Sequence, residues 1–139
     1  MKTILYTLVA CVTYLTLSLN MALAETSLDA KEKQRRSAAQ TILKNNSNTV
    51  AIHTKGLHCP SCAIGIRKKI SRLGFVDRQQ LNQGVQLDVR NLLVVVAIKP
   101  NQSPDLVELA KAIDKAGYKP HQAYALDAGK LKITPIDPS

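Results

Sequence analysis

The chain contains no tryptophan and a single phenylalanine, Phe75, and aromatic residues make up only 4% of its 139 positions. Its core must therefore rest on Val, Ile, Leu and Ala. With four tyrosines and no aromatic–basic interleaving, the chain has little on which bases could stack, so nucleic acid is excluded as a partner despite a net charge of +9. Cysteine is scarce too. Of three, Cys11 falls in the first two dozen residues, which leaves Cys59 and Cys62. No second Cys pair and no His-x-x-x-His accompanies them, and a zinc site wanting about four ligands is excluded with it. The length and the 45% hydrophobic content allow one packed domain with an arm or linker and leave no material for a second core.

Residues 1–24 read as a secretory signal of bacterial type. Lys2 gives the positive start, Ile4 to Leu19 is mostly apolar, and Ala22-Leu23-Ala24 forms a small-x-small cleavage site. Retention as a membrane anchor is the alternative, although Thr7, Thr13, Thr16, Ser18 and Asn20 dilute the stretch. Lipid attachment at Cys11 fits poorly, because an apolar run follows it. Cleavage would remove Lys2, lower the net charge from +9 to +8, and leave a periplasmic protein without stable membrane insertion.

Residues 25–48 read as a helical arm and linker: Thr26 and Asp29 are spaced as a capping box, Ala38, Ala39, Ile42 and Leu43 supply an apolar side, and Asn45-Asn46-Ser47-Asn48 breaks the pattern. Within 49–127 the periodicity changes repeatedly. Val50, Ile52 and Thr54 alternate with Ala51, His53 and Lys55 as a half-buried strand ended by Gly56. Ala63, Ile66, Ile70 and Leu73 recur at helical spacing before Gly74, with Arg67, Lys68 and Arg72 off that stripe. Val85, Leu87 and Val89, a turn at Arg90-Asn91, and the run Leu92 to Ile98 make a hairpin. Ser103-Pro104 predicts a helix start, Leu106, Leu109, Ala110, Ile113 and Ala116 its stripe, and Gly117 its stop. A strand from Lys119 to Leu126 follows, then a tail, 128–139.

This order predicts an α+β, ferredoxin-like βαββαβ sandwich, a four-stranded antiparallel sheet with two helices on one face. Leu93, Val95 and Ala97 then face away from the helices, and the expectation is that the arm or the segment Leu131 to Ile136 covers them.

Cys59 and Cys62 stand where the first strand hands over to the first helix, with Pro60 suited to the opening turn. Unpaired amides and the helix dipole stabilise a thiolate there, and Lys55, Arg67 and Lys68 are close in sequence. A thiolate serves a metal ligand and a redox nucleophile equally. Two thiolates at this spacing can approach a soft, closed-shell ion from nearly opposite sides, which suits Cu(I) or Hg(II). His53, His58 and His121 are too scattered to be read as ligands.

Gly56-Leu57-His58-Cys59-Pro60-Ser61-Cys62, placed between a strand and a helix in this six-element order, resembles the heavy-metal-associated domain family, which includes copper chaperones, modules of metal-pumping ATPases and periplasmic mercury-binding proteins. The resemblance covers about Thr49 to Leu126. It implies that Cys59 and Cys62 hold the metal, that Ala116-Gly117-Tyr118 forms the loop before the last strand with Tyr118 beside the site, and that the protein is a carrier and not an enzyme. Its partner would be a metal transporter, a metal-pumping ATPase or another thiol-bearing acceptor. The chain departs from the family at Leu57, where Met is usual, at His58, where a small polar residue is commoner, and over Phe75 to Gly84, which is several residues longer.

The alternative is a periplasmic thiol-disulfide oxidoreductase using the same pair. Against it, Leu57-His58 stands directly before Cys59 where such domains carry aromatic residues, Pro100 and Pro104 lie in a hairpin-to-helix connection, and a hairpin directly follows the first helix. An inert disulfide is a weaker reading, because closing so short a loop removes little chain entropy.

Overall fold

The computed structural model describes residues 31–58 and 61–136, with the side chain of Cys62 also left aside. The expected signal segment, the Thr26–Asp29 capping box, Cys59 and Pro60 lie outside the described residues. The chain divides into two units, Met1–Gln34 and Arg35–Ser139. In the first, residues 31–34 are helical. The second holds helix α1, residues 35–45, followed by β1 (Thr49–Lys55), α2 (Cys62–Ile70), β2 (Val85–Asp88), β3 (Leu93–Ala97), α3 (Leu106–Asp114), β4 (Lys119–Asp127) and β5 (Lys130–Pro135). Among the described residues no helix is long and apolar enough to cross a membrane.

The ferredoxin-like α+β arrangement is present, with an addition. The antiparallel sheet runs β2-β3-β1-β4-β5 and so has five strands. The fifth comes from the segment set aside as a tail. Ala128 and Gly129 both take positive φ, 48° and 78°, the geometry of a tight hairpin turn, and β5 pairs back along β4 with Leu131 opposite Leu126 and Ile133 opposite Tyr124.

Period-two alternation sends β1 and β3 residues to both faces of the sheet. Val50, Ile52, Val94 and Val96 meet Ile66 and Ile70 of α2 and Leu109 and Ile113 of α3 in one buried cluster. On the opposite face Ala51, Leu93, Val95 and Tyr124 are buried with Ala39 and Leu43 of α1, and Leu131 and Ile133 pack at that cluster's margin. The apolar strip expected at Leu93 and Val95 is thus covered by the arm and the last strand together. For the same reason β1 is buried from Val50 to Thr54, where its alternation alone predicts a half-buried strand.

Helix boundaries differ from the periodic reading where side chains act as caps. Helix α3 starts at Leu106, because the Asp105 carboxylate accepts from the amides of Val107 (2.9 Å) and Glu108 (3.0 Å), a stronger N-cap than Ser103-Pro104 two residues earlier. Helix α2 ends at Ile70, four residues before Gly74, and the Ser71 amide closes it onto the Arg67 carbonyl. The Ser71 hydroxyl then donates to the Gln83 carbonyl at 2.8 Å, tying the helix end to the long segment 75–84.

That segment is a packed corner. Asp77 N donates to Ala97 O, Gly84 N to Gln80 O, and Ala97 N to Gly84 O. Gly84 has φ +85°, and a Cβ there would stand 2.5 Å from Val76 Cγ1 and 2.9 Å from the Asp77 carbonyl oxygen. Left-handed strain and a clash with backbone add, so Gly84→Ala is expected to destabilise the domain by about 2–4 kcal/mol in urea unfolding. A loss under about 0.5 kcal/mol, the range of an ordinary surface change, would show that the corner yields freely.

Candidate metal centre

Strand β1 delivers the chain to the cysteine segment through Gly56, whose φ of +92° lies in the left-handed region that glycine accepts without strain. Leu57 is 1% exposed and belongs to the cluster beneath α2 and α3, so it anchors the loop as a buried plug, while His58 is exposed. Ser61 occupies the N-cap of α2 in the right-handed helical region (φ −67°, ψ −20°) and makes no side-chain capping bond. Its carbonyl accepts from the Ile64 amide at 3.2 Å. Cys62 is the first residue of the helix, and the first turn contains no acidic residue. The positive end of the α2 dipole is therefore left to whatever negative charge the cysteine segment carries.

Tyr118 reaches the root of this loop through the end of α3. Gly117, at φ +90°, places its amide on the Asp114 carbonyl (2.8 Å), and the Tyr118 amide returns to the Ile113 carbonyl (3.2 Å), a Schellman-type closure. The Tyr118 ring packs on the main cluster, with Cδ1 3.5 Å from the position a Cβ would take on Gly56. Tyr118 therefore stands beside the entry to the cysteine segment. Lys55 and Lys119, both exposed, are register partners at the adjoining ends of β1 and β4.

The basic side of α2 is less uniform than its sequence suggests. Lys68, Lys69 and Arg72 are exposed. Arg67 is half-buried instead: its Nε is buried and has no hydrogen-bond partner among the described residues, and the side chain lines an open groove of ≈ 840 Å³ with Ala63, Leu81, Gln86 and Leu87. A residue the periodic reading passed over is Ile64, 67% exposed and two positions from Cys62. It falls off the stripe Ala63, Ile66, Ile70, and an apolar residue off the buried stripe is the signal that would have found it.

Of the three histidines, His58 is in the loop, while His53 and His121 come together, their ring centroids 5.3 Å apart. The sequence separation of those two gave no hint of this. Their meeting depends on the β1–β4 pairing and on a register shift between His53 and Thr54.

An antiparallel ferredoxin-like sheet whose first sandwich helix opens at Cys62, the second cysteine of the Cys-x-x-Cys segment, defines a small α+β module. Residues 51–119 match the profile of the heavy-metal-associated domain, so the resemblance read from the loop holds over that stretch. A search of curated proteins gives no match. Among solved structures, one similar chain is described under crosstalk between Cu(I) and Zn(II) homeostasis; it is 26% identical over 53% of this chain and 96% of its own length, with a TM-score of 0.41. Another is a copper-binding domain from HMA7, a P-type ATPase (15% identity, 58% and 96% covered, TM-score 0.43). A third is the N-terminal domain of the copper(I) ATPase PacS in its apo form (23% identity, 59% and 97% covered, TM-score 0.39).

Proposed function

We propose that this chain is an exported, periplasmic carrier that holds one Cu(I) or Hg(II) ion between the thiolates of Cys59 and Cys62 and hands it to a thiol-bearing acceptor, such as a metal transporter or metal-pumping ATPase, without chemical turnover. The observation that carries this reading is the position of the cysteine pair. In sequence the pair falls between Leu57, which is a buried plug, and α2, which opens at Cys62 with no side-chain capping bond, within the stretch that matches the heavy-metal-associated domain.

Transfer proceeds by ligand exchange. An acceptor thiolate adds to the bound ion, a three-sulfur intermediate forms, and one of the two cysteine thiolates leaves, so no electron changes hands. Two soft ligands are enough for such an ion and leave its flanks open to attack. A bis-thiolate Cu(I) centre carries one net negative charge and a bis-thiolate Hg(II) centre none. The α2 dipole and the exposed Lys55 and Lys119 therefore favour Cu(I).

Exposed Lys68 and Lys69 on α2 and Arg72 just past its end offer basic charge suited to an acidic acceptor surface. Raising ionic strength from about 0.1 M to about 1 M shortens the screening length from about 10 Å to about 3 Å. The metal-transfer rate, followed by stopped flow, is expected to fall on the order of tenfold over that range. A rate indifferent to salt removes the docking role of this basic charge.

The proposal itself is tested by metal competition on the reduced mature protein, reading stoichiometry for Cu(I), Hg(II) and Zn(II). One equivalent of soft ion, retained against zinc, supports it. Failure to bind, accompanied by reduction of insulin disulfides that is lost in Cys62→Ser, would establish the oxidoreductase instead.

A further inference from the structure

The groove beside Arg67 lies between α2 and the outermost strand of the sheet. Strand β2 stands at the end of the order β2-β3-β1-β4-β5, so one of its edges has no neighbouring strand. The phase of its ladder is set by Gly84, whose carbonyl accepts from the Ala97 amide at 2.9 Å. Counting on from that pair, Gln86 with Val95 and Asp88 with Leu93 are the hydrogen-bonded positions, and Leu87, opposite Val94, turns its N–H and C=O outward. Neither group has a partner among the described residues. Leu87 and Val89 line the groove on this side.

Across from that edge, Ala63 and Arg67 lie one helical turn apart on α2. Ala63 directly follows Cys62, so the groove begins one residue past the cysteine pair. The remaining wall, Leu81 to Gln83, is tied down: the Ser71 hydroxyl donates to the Gln83 carbonyl at 2.8 Å, and Leu81 packs at the margin of the cluster beneath α1. A wall fixed before binding spares a ligand the cost of ordering it. Arg67 is the one ionisable residue in the lining among the described residues. Its Nε is shut off from solvent without a hydrogen bond, and Asp88, the acidic residue of β2, commits both carboxylate oxygens to Asn91. A partly desolvated guanidinium with no counter-charge favours a carboxylate, which its planar fork of donors matches with two parallel bonds.

We propose that this groove docks an extended acidic segment of the protein that accepts the metal, which adds to the free edge of β2 at Leu87 and sets one carboxylate on Arg67. Backbone bonds to an open edge supply affinity, and the groove supplies specificity. Leu81, Leu87 and Val89 receive apolar side chains of the segment beside its carboxylate. The wall from Leu81 to Gln83 belongs to the stretch Phe75 to Gly84, which is longer than its counterpart in the heavy-metal-associated family, so the groove is a feature of this chain.

That the partner is the metal acceptor rests on the carrier reading. The test is therefore run on the reduced, metal-free mature chain, where the groove holds or fails whatever the thiols bind. The probe is a capped nonapeptide of alternating Thr and Val with one central Glu, titrated into isotope-labelled protein and followed by NMR. Saturable shifts of the Leu87 amide and the Arg67 Nε–H are expected. Kd is expected to weaken by about tenfold or more with Arg67→Gln, whose folding is checked by thermal unfolding, and equally with Gln for Glu in the peptide, which leaves the protein untouched. Lys132→Gln, which removes an exposed cation from β5 at the opposite edge, is expected to change Kd by less than about threefold. N-methylation of one alternate set of peptide amides is expected to abolish binding, and of the other set to be tolerated, as strand addition requires. Absence of a shift at Leu87, a Kd indifferent to both Glu and Arg67, equal effects of the two methylated sets, or inorganic phosphate shifting Arg67 as strongly as the peptide would each overturn the proposal.

Discussion

Replacing Cys59 or Cys62 by Ser is expected to abolish one-to-one uptake of Cu(I) or Hg(II), lowering affinity by about a thousandfold or more at either position. Apparent zinc affinities of about 10–16 kcal/mol spread over four ligands come to about 2.5–4 kcal/mol per ligand, or roughly two to three powers of ten. An ion held by only two protein sulfurs has no other protein donor to share that loss. Serine preserves the size of the side chain and supplies a hard oxygen that does not ionise at neutral pH, so the fold should be unaffected while the soft ion is released. Competition against a chromophoric chelator reads the change. Retention of tight binding in either single variant would place the metal elsewhere in the chain.

Leu43→Ala in α1 is expected to cost about 2–4 kcal/mol, and Leu43→Asp more, because a carboxylate would be driven against an apolar face with no partner. Leu43 is 4% exposed and packs with Ala39, Ala51, Leu93, Val95 and Tyr124, all fully or almost fully buried. Truncating the chain to begin at Asn45 would uncover that surface, and the remaining domain is expected to self-associate. Urea unfolding and sedimentation of the point variants and the truncation read these effects. If the domain lost less than about 0.5 kcal/mol and stayed monomeric, α1 would be an ornament of the sheet and not its cover.

The sheet's centre was legible because its alternation is strong. Val50 with Ile52, and the run Leu93 to Ala97, announce strands wherever they sit in a chain, and the helical stripe of Ile66 and Ile70 identifies its buried side. The fifth strand was not read because Leu131 and Ile133 alternate over few residues, between lysines. Only pairing with Leu126 and Tyr124 gives them a place to go. Side-chain caps escaped the periodic reading as well. The Asp88 carboxylate accepts from the amide of Asn91 at 3.1 Å and from its side-chain nitrogen at 2.6 Å, which shortens β2 to Asp88 and delays β3 to Leu93. For the candidate metal centre, residue types and spacing pointed to Cys59 and Cys62, and the resemblance to the heavy-metal-associated domain pointed to a neighbouring Tyr118. The inward turn of Arg67 and the exposure of Ile64 depend on how α2 settles against segment 81–87, which spacing does not encode.

Strand β1 is clamped between β3 and β4 and shielded by apolar side chains above and below, and it gives way to the turn at Gly56. Under the proposed carrier function, the cysteine segment would thus be rooted on the part of the domain with the most to lose by opening, while exchange of one sulfur partner for another would ask nothing of that foundation. Loading and unloading would then repeat against an unmoving anvil, and the speed of delivery would be set by the visiting acceptor rather than by refolding of the donor.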